Sequence, residues 1–265
     1  MSRRQRLDAE LVRRGLARSR EQAAELIATG RVAVGGQRAA KAASQVDSAA
    51  AITVAQSAGE PEYVSRGGHK LAGALAAFGG PAVAGRRCLD AGASTGGFTD
   101  VLLRNGAAHV VAVDVGYGQL AWSLQTDSRV TVLDRVNIRA LQPDQVAPAP
   151  DLVVADLSFI SLTLVIPALV ACAAPNADFL LMVKPQFEVG RDRVGDGVVR
   201  DPQLRAAAVQ GVAVAAAESG LGVQGVTASP LPGPAGNVEY FLWLRSGAPP
   251  LDPDMVRDAI ATGPQ

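Results

Sequence analysis

Between residues 87 and 219 short apolar runs alternate with helical patterns, and that alternation leaves the chain very few folds. The spacing predicts strands over 87–91, 109–114, 130–134, 151–156 and 178–184, and helices over 96–105, 118–124, 161–173 and 201–219. Strands alternating with helices build a doubly wound parallel sheet, an α/β fold with helices on both faces. The end of the chain differs. Val223–Thr227 and Val238–Leu244 are strands with no helix between them, joined through the Pro/Gly-rich turn Pro230–Asn237, so a terminal antiparallel hairpin should close the sheet.

Within this pattern the run Cys88-Leu89-Asp90-Ala91-Gly92-Ala93-Ser94-Thr95-Gly96-Gly97-Phe98 carries an apolar strand into a glycine turn and a helix start. Glycine lets backbone approach a ligand closely, and a helix start offers free N–H groups. Nucleotide-like ligands bind there, outside the carboxyl ends of parallel strands. The spacing Gly92-x-x-x-Gly96-Gly97, with Asp90 two residues before the first glycine, is not the dinucleotide fingerprint Gly-x-Gly-x-x-Gly. It resembles the S-adenosylmethionine loop of class I (Rossmann-like) methyltransferases; a plain strand–turn–helix connection is the competing reading. Asp114 ends the next strand 18 residues past Gly96, where an acid accepts hydrogen bonds from ribose hydroxyls or caps a helix. The resemblance implies that Asp90, Gly92, Ser94, Thr95, Gly96 and Phe98 hold the methionine part, Asp114 the ribose, and Asp134 and Asn137 the adenine.

Ahead of this body lies a basic module. The chain of 265 residues has zero formal net charge, yet residues 1–59 carry +5 and the remainder −5. Apolar residues at 7, 11, 12 and 16 predict one helix. Ser19-Arg20-Glu21-Gln22 is a capping-box pattern opening a second, which Gly30 ends, and Arg31 to Gly36 alternates as a strand and turn. This order, with its arginines, resembles the S4-type RNA-binding domain, a small α+β unit that docks paired helices on structured RNA; a generic protein-interaction hairpin shares the periodicity. The arginine bias favours RNA, with Arg4, Arg6, Arg18, Arg20 and Lys41 here, and Arg66 and Arg135 in the body, as candidate contacts. Small polar residues over Ala55–Pro61 mark the boundary, giving an RNA-binding domain over 1–59, a linker over 60–64 and a methyltransferase domain over 65–265. Neither cysteine sits in a metal-binding pair, the N-terminal Met-Ser-Arg-Arg-Gln-Arg lacks an apolar signal core, and the longest apolar tract, Leu162 to Ala174, is too short to span a membrane. A cytoplasmic protein without metal, membrane or obligate protein partner is expected.

Four charged residues interrupt otherwise apolar elements. Asp156 follows Val153-Val154-Ala155, Lys184 follows Leu180–Val183, and Glu239 opens the strand Val238–Leu244. Lys70 stands in the predicted first turn of a helix through Leu71, Leu75 and Phe78, where a cation opposes the helix dipole. Each alone is an ordinary solvated charge. Together, on a class I loop, Lys70, Asp156, Lys184 and Glu239 resemble the Lys-Asp-Lys-Glu tetrad of FtsJ-type RNA ribose 2′-O-methyltransferases. With the S4-type domain in front, the chain resembles the TlyA (haemolysin A) family in its actinobacterial form. Val-Ser-Arg-Gly-Gly-His-Lys, Ala-Asp-Leu-Ser-Phe-Ile-Ser, Val-Lys-Pro-Gln-Phe-Glu and Gly-Asn-Val-Glu-Tyr all stand as in that family.

The resemblance implies S-adenosylmethionine-dependent 2′-O-methylation of cytidine in ribosomal RNA of both subunits. Lys184 would act on the ribose hydroxyl, Asp156 and Glu239 would orient the lysines, and Lys70 would hold the nucleotide. Amine methylation would want an Asn-Pro-Pro-Tyr-like segment where Asp156-Leu-Ser-Phe stands, and cytosine C5 chemistry a well-placed cysteine. A membrane-active haemolysin and a non-catalytic RNA-binding assembly factor are the readings from other classes.

Overall fold

The computed structural model describes residues 4–17, 20–47, 49–55 and 62–264, apart from the side chains of Glu21 and Arg191. It divides into two compact units, Met1–Glu62 and Tyr63–Gln265.

The first unit runs β1 (Arg4–Arg6), α1 (Leu7–Arg13), α2 (Arg20–Ala28), β2 (Val32–Val34), β3 (Gln37–Arg38), β4 (Gln45–Asp47) and β5 (Ile52–Val54). β1 pairs antiparallel with β4, and β2 lies between β3 and β5. Leu7 and Leu11, one turn apart on α1, meet Leu26, Ile27, Val32 and Val46 in a small core. The helix expected to reach Leu16 stops at Arg13, because Gly15 turns left-handed with φ +70°. Gly30 ends α2 as expected (φ +71°), and the Arg38 guanidinium fills the space a Cβ there would need. Ser19 of the capping-box pattern falls outside the described residues.

The second unit opens with α3 (Arg66–Phe78), then β6 (Arg87–Ala91), α4 (Gly97–Arg104), β7 (His109–Asp114), α5 (Trp122–Gln125), β8 (Val130–Asp134) and β9 (Leu152–Ala155). It continues through α6 (Ile166–Cys172), β10 (Asp178–Val183), α7 (Pro185–Glu188), α8 (Pro202–Glu218), β11 (Leu221–Ala228), β12 (Tyr240–Ser246) and α9 (Pro253–Thr262). The sheet order is β11-β12-β10-β9-β6-β7-β8, with β12 antiparallel to both its neighbours and the other five strands parallel. The expected doubly wound sheet with a terminal antiparallel pair is the fold observed.

Period-two alternation splits the apolar residues between two cores. Leu89, Val111, Val153 and Leu181 face the side of α6 and α8, while Cys88, Val110, Val154 and Leu180 face that of α3 and α4. Strand order reverses between β6 and β9, so the crevice beyond their carboxyl ends is the topological switch point. The glycine loop and Asp156 leave the sheet there.

Several elements differ from the expected limits. α3 begins a turn earlier than supposed, so Lys70 is its fifth residue and is buried, and Arg66 stands at the helix start. The helix expected over 118–124 shrinks to α5, because the Gly116 and Gly118 N–H groups donate to Asp114 and Asp134. That over 161–173 breaks into a 3₁₀ turn (Leu162–Leu164) and α6, since Pro167 has no N–H to continue the first turn into the second. β12 starts at Tyr240, which leaves Glu239 just before the strand. Among the described residues no helix is long and apolar enough to cross a membrane.

Candidate active site

The glycine loop leaves β6 through three positive-φ residues, Gly92 (φ +86°), Ser94 (φ +48°) and Gly96 (φ +97°). A Cβ on Gly92 would lie 2.6 Å from the Asp156 carbonyl oxygen, so only glycine lets the loop pass this close to the end of β9. Gly96 backs onto Leu120 and Leu124. Phe98 is core, 3% exposed with its ring 6.0 Å from Phe241, whereas Ser94 and Thr95 are exposed.

Asp90 is enclosed. Its Oδ2 accepts a hydrogen bond from the Thr99 hydroxyl at 2.6 Å on the first turns of α4, and its Oδ1 is buried without a partner. Burial pushes its carboxyl up to about 7; the Thr99 hydroxyl opposes this, and the nearby Asp156 and Asp114 charges add to it. Asp90 therefore stands behind the loop, as a support for it.

Asp114 and Asp134 sit opposite each other at the ends of β7 and β8. Asp114 accepts from the Ser94 and Gly116 backbone N–H groups at 2.8 and 2.7 Å, tying the glycine loop to the loop after β7. Asp134 accepts from Gly118 N–H at 2.9 Å, and Asn137 caps the 3₁₀ turn after β8 through Arg139 N–H at 3.0 Å. Val115, beside Asp114, is 74% exposed, an apolar surface next to a row of acceptors.

The four interrupting charges meet as two lysine–carboxylate pairs. Lys184 Nζ donates to Asp156 Oδ1 at 2.6 Å and to Ser158 Oγ at 2.9 Å. Lys70 Nζ donates to Glu239 Oε2 at 2.5 Å, with both side chains buried. The register draws the pairs together. Val183 lies opposite Tyr240, so Lys184 and Glu239 leave adjacent strands at the same end of the sheet. On α3, a Cβ at Gly67 would lie 3.8 Å from Asp156 Oδ2, and Lys70 follows one turn later. Taking charges out of water costs several kcal/mol each unless they are paired, so two buried lysines at a crevice mouth are a built feature.

Sequence reasoning passed over several residues here. Ser158 bonds Lys184, Gly233 leaves room for Glu239 (a Cβ would lie 2.6 Å from its Oε1), and Phe159, 91% exposed at φ +65°, meets Phe187 at 5.2 Å. Both cysteines are buried, and burial pushes the Cys88 thiol up to about 12 and raises that of Cys172, so neither is poised as a nucleophile.

The candidate RNA contacts are distributed over both units. Arg6 and Arg20 share Asp8 (2.8 and 3.1 Å), holding its carboxyl well below the usual range, and Arg4 and Lys41 are exposed. Arg18 lies outside the described residues. In the second unit Arg66 donates to the Pro232 carbonyl at 3.2 Å, and Arg135 stacks on the exposed Tyr117 ring at 4.2 Å.

Residues 63–246 match the FtsJ-like methyltransferase family and residues 5–52 the S4 domain. A Mycobacterium tuberculosis protein named 16S/23S rRNA (cytidine-2′-O)-methyltransferase TlyA is 62% identical over 271 residues, with both chains fully covered. Hemolysin A of Brachyspira hyodysenteriae is 37% identical, covering 89% of this chain and 98% of its own. Among solved structures, a protein described as a hemolysin from Streptococcus thermophilus superposes with a TM-score of 0.79 at 36% identity, over 98% of this chain and 96% of the other.

Proposed function

Since the chain belongs to the FtsJ-like methyltransferase family, we propose that it transfers a methyl group from S-adenosylmethionine to the 2′-hydroxyl of cytidine in ribosomal RNA. The observation that carries this reading is the pairing of Lys184 with Asp156 and of Lys70 with Glu239 at the mouth of the switch-point crevice. The name of the Mycobacterium tuberculosis relative, a cytidine-2′-O-methyltransferase of 16S and 23S rRNA, supports the acceptor. The S4 match over 5–52 supports the RNA.

The crevice fits a sulfonium nucleoside. Gly92, Ser94 and Gly96 fold the loop around the end of β6, and Asp114 and Asp134 offer acceptors to hydroxyl and amino groups beside the exposed Val115. In this reading Gly92 through Thr95 hold the methionine part, Asp114 the ribose, and Asp134 and Asn137 the adenine edge, while Asp90 and Phe98 support the loop from behind. When bound, S-adenosylmethionine supplies an electrophilic methyl group on positively charged sulfur.

The chain's residues prepare the hydroxyl. A ribose 2′-OH is a weak nucleophile, and a positioned base contributes about 10²–10⁴-fold. Lys184 is placed to take up the 2′-OH proton. Asp156 orients it and stabilises the ammonium that results. Lys70, held by Glu239, is placed to steady the nucleotide. Phe159 and Phe187 offer an aromatic face beside Lys184 on which an unstacked base can rest. Most of the remaining acceleration comes from alignment. A ribosomal acceptor carries with it a cytoplasmic site of action.

The test is transfer of labelled methyl to purified ribosomal subunits by wild type and Lys184→Ala, with the label located by alkali-resistant linkages. Label on ribose that disappears in the variant is the expected result. No transfer to either subunit or to naked rRNA, with S-adenosylhomocysteine still bound, would overturn the reading in favour of an RNA-binding role without catalysis.

A further inference from the structure

We propose that Ser158 is a positioning residue for methyl transfer, and that Glu188 braces the loop which carries it; the proposal rests on the reading above, in which Lys184 works on the hydroxyl. A lysine ammonium ends a flexible four-carbon stem, and one partner fixes its distance while leaving its hydrogens free to rotate. Lys184 has two partners, Asp156 Oδ1 at 2.6 Å and Ser158 Oγ at 2.9 Å. With two of its three N–H directions taken, the third is fixed in space. That third direction is where the neutral amine presents its lone pair. Ser158 therefore decides which way Lys184 faces.

Ser158 is itself exposed, on a segment, residues 156–161, without helix or strand. Leu157 and Ile160 anchor the segment on the core, but it has no backbone ladder to fix Ser158 between them. Its next residue, Phe159, is held at φ +65°, which a non-glycine residue adopts only under constraint from its surroundings. The constraint is visible at the far end of the segment. Glu188 accepts from Ser161 Oγ at 2.5 Å and from Leu162 N–H at 2.9 Å. Glu188 closes α7, the helix that starts directly after Lys184. The loop from Asp156 is thus fastened to the Lys184 segment at both ends: by Asp156 and Ser158 on the ammonium, and by Glu188 on the start of the following 3₁₀ turn. The Phe159–Phe187 contact at 5.2 Å adds an apolar tie between the same two segments.

The experiment uses the full-length chain with Ser158→Ala, Ser158→Thr, Glu188→Ala and Glu188→Gln. Single-turnover and steady-state methyl transfer to ribosomal subunits separate kcat from KM, and titration with S-adenosylhomocysteine reports the cofactor crevice. For Ser158→Ala we expect kcat to fall about tenfold or more, the scale of a lost hydrogen bond to a charged group. KM and S-adenosylhomocysteine affinity should stay within about twofold of wild type, well below that scale. Ser158→Thr keeps the hydroxyl and should restore most of the rate. Glu188→Ala should lower kcat in the same way, and Glu188→Gln, whose amide can accept from Leu162 and donate to Ser161, should recover much of it. Wild-type kcat in Ser158→Ala overturns the proposal, as does a loss that threonine fails to rescue or that comes with weakened S-adenosylhomocysteine binding. If wild type itself transfers no methyl, the functional reading fails first and the proposal falls with it.

Discussion

Asp90 ends up fully enclosed behind the glycine loop, and its carboxyl is pushed up to about 7, first by burial. An acid whose folded value lies above its unfolded one holds a proton in the folded state that the unfolded chain has released. Between about pH 4 and pH 7, stability from this group therefore falls as pH rises, by on the order of a few kcal/mol, and stays low above that window. Asn is the neutral isostere of the protonated acid. Asp90→Asn should gain on wild type by several degrees of Tm more at pH 8 than at pH 5; an equal Tm difference at both values would sink this account. All other groups titrate alike in both proteins, so the comparison isolates Asp90. A second residue-scale test concerns Gly233, where a Cβ would lie 2.6 Å from Glu239 Oε1 and 3.2 Å from its Cδ. Glu239 is buried, so it can yield only by drawing away from Lys70. Gly233→Ala should cost about 1–3 kcal/mol of stability and lower methyl transfer at least tenfold. Chemical denaturation and the transfer assay measure the two effects separately, and unchanged transfer would mean that the Lys70–Glu239 geometry is not needed.

At the scale of elements, β6, β7 and β8 fall on the limits the apolar runs predict; β6 and β7 are buried on both faces and announce themselves by composition, and β8 is a half-buried edge strand marked by its β-branched residues. Three of the charges that become the lysine–carboxylate pairs were legible for the complementary reason: Asp156, Lys184 and Glu239 each flank an apolar strand at the end facing the crevice, while Lys70 stood out as a cation near a helix start. Ser158, Glu188 and Gly233 were not legible, because a serine, a glutamate and a glycine in loops take on meaning only from the side chains that fold against them. α5 shrank for a related reason, since strand-end carboxylates compete for the backbone N–H groups that a longer helix would have used. α9 was missed although its start is marked: Asp252 accepts from Asp254 N–H, and Pro253 occupies the first turn. Its apolar face is short, but Val256 and Ala259 reach the core shared with β11 and α8, and Gly263 packs on Ala228. Ending the chain at Leu251 should cost about 3 kcal/mol of buried apolar contact and leave β11, an edge strand, less covered. A lowered denaturation midpoint with added light scattering on heating is the expected outcome, with transfer per folded molecule retained. A midpoint equal to that of the full chain would show that α9 contributes no net packing energy.

For the whole molecule the decisive quantity is the distribution of charge. Residues 1–59 carry +5 against −5 on the rest, which suits a phosphate-binding module ahead of a catalytic body. The structure refines that count. Arg6 and Arg20 are engaged by Asp8, and Arg13 and Arg14 by the buried Glu10, whose carboxyl they hold down at about 2. Two carboxylates offset half of these four charges, so the arginines shape the unit as well as attract RNA. Arg4, Arg38 and Lys41 are exposed and are the stronger candidates for phosphate contacts. Each phosphate contact adds about 0.7–0.9 to the steepness of log K against log salt. The full-length Arg4→Ala/Arg38→Ala/Lys41→Ala variant should therefore bind ribosomal subunits with a slope shallower by about 2–3. Removing residues 1–62 should go further, abolishing efficient transfer while S-adenosylhomocysteine still binds, because each unit has its own apolar core. Unchanged salt dependence in the triple variant would move RNA recognition to the arginines paired with Asp8 and Glu10. A truncated chain that methylates subunits at the wild-type rate would remove the first unit from recognition altogether, and leave Arg66 and Arg135 as the cations that hold the RNA.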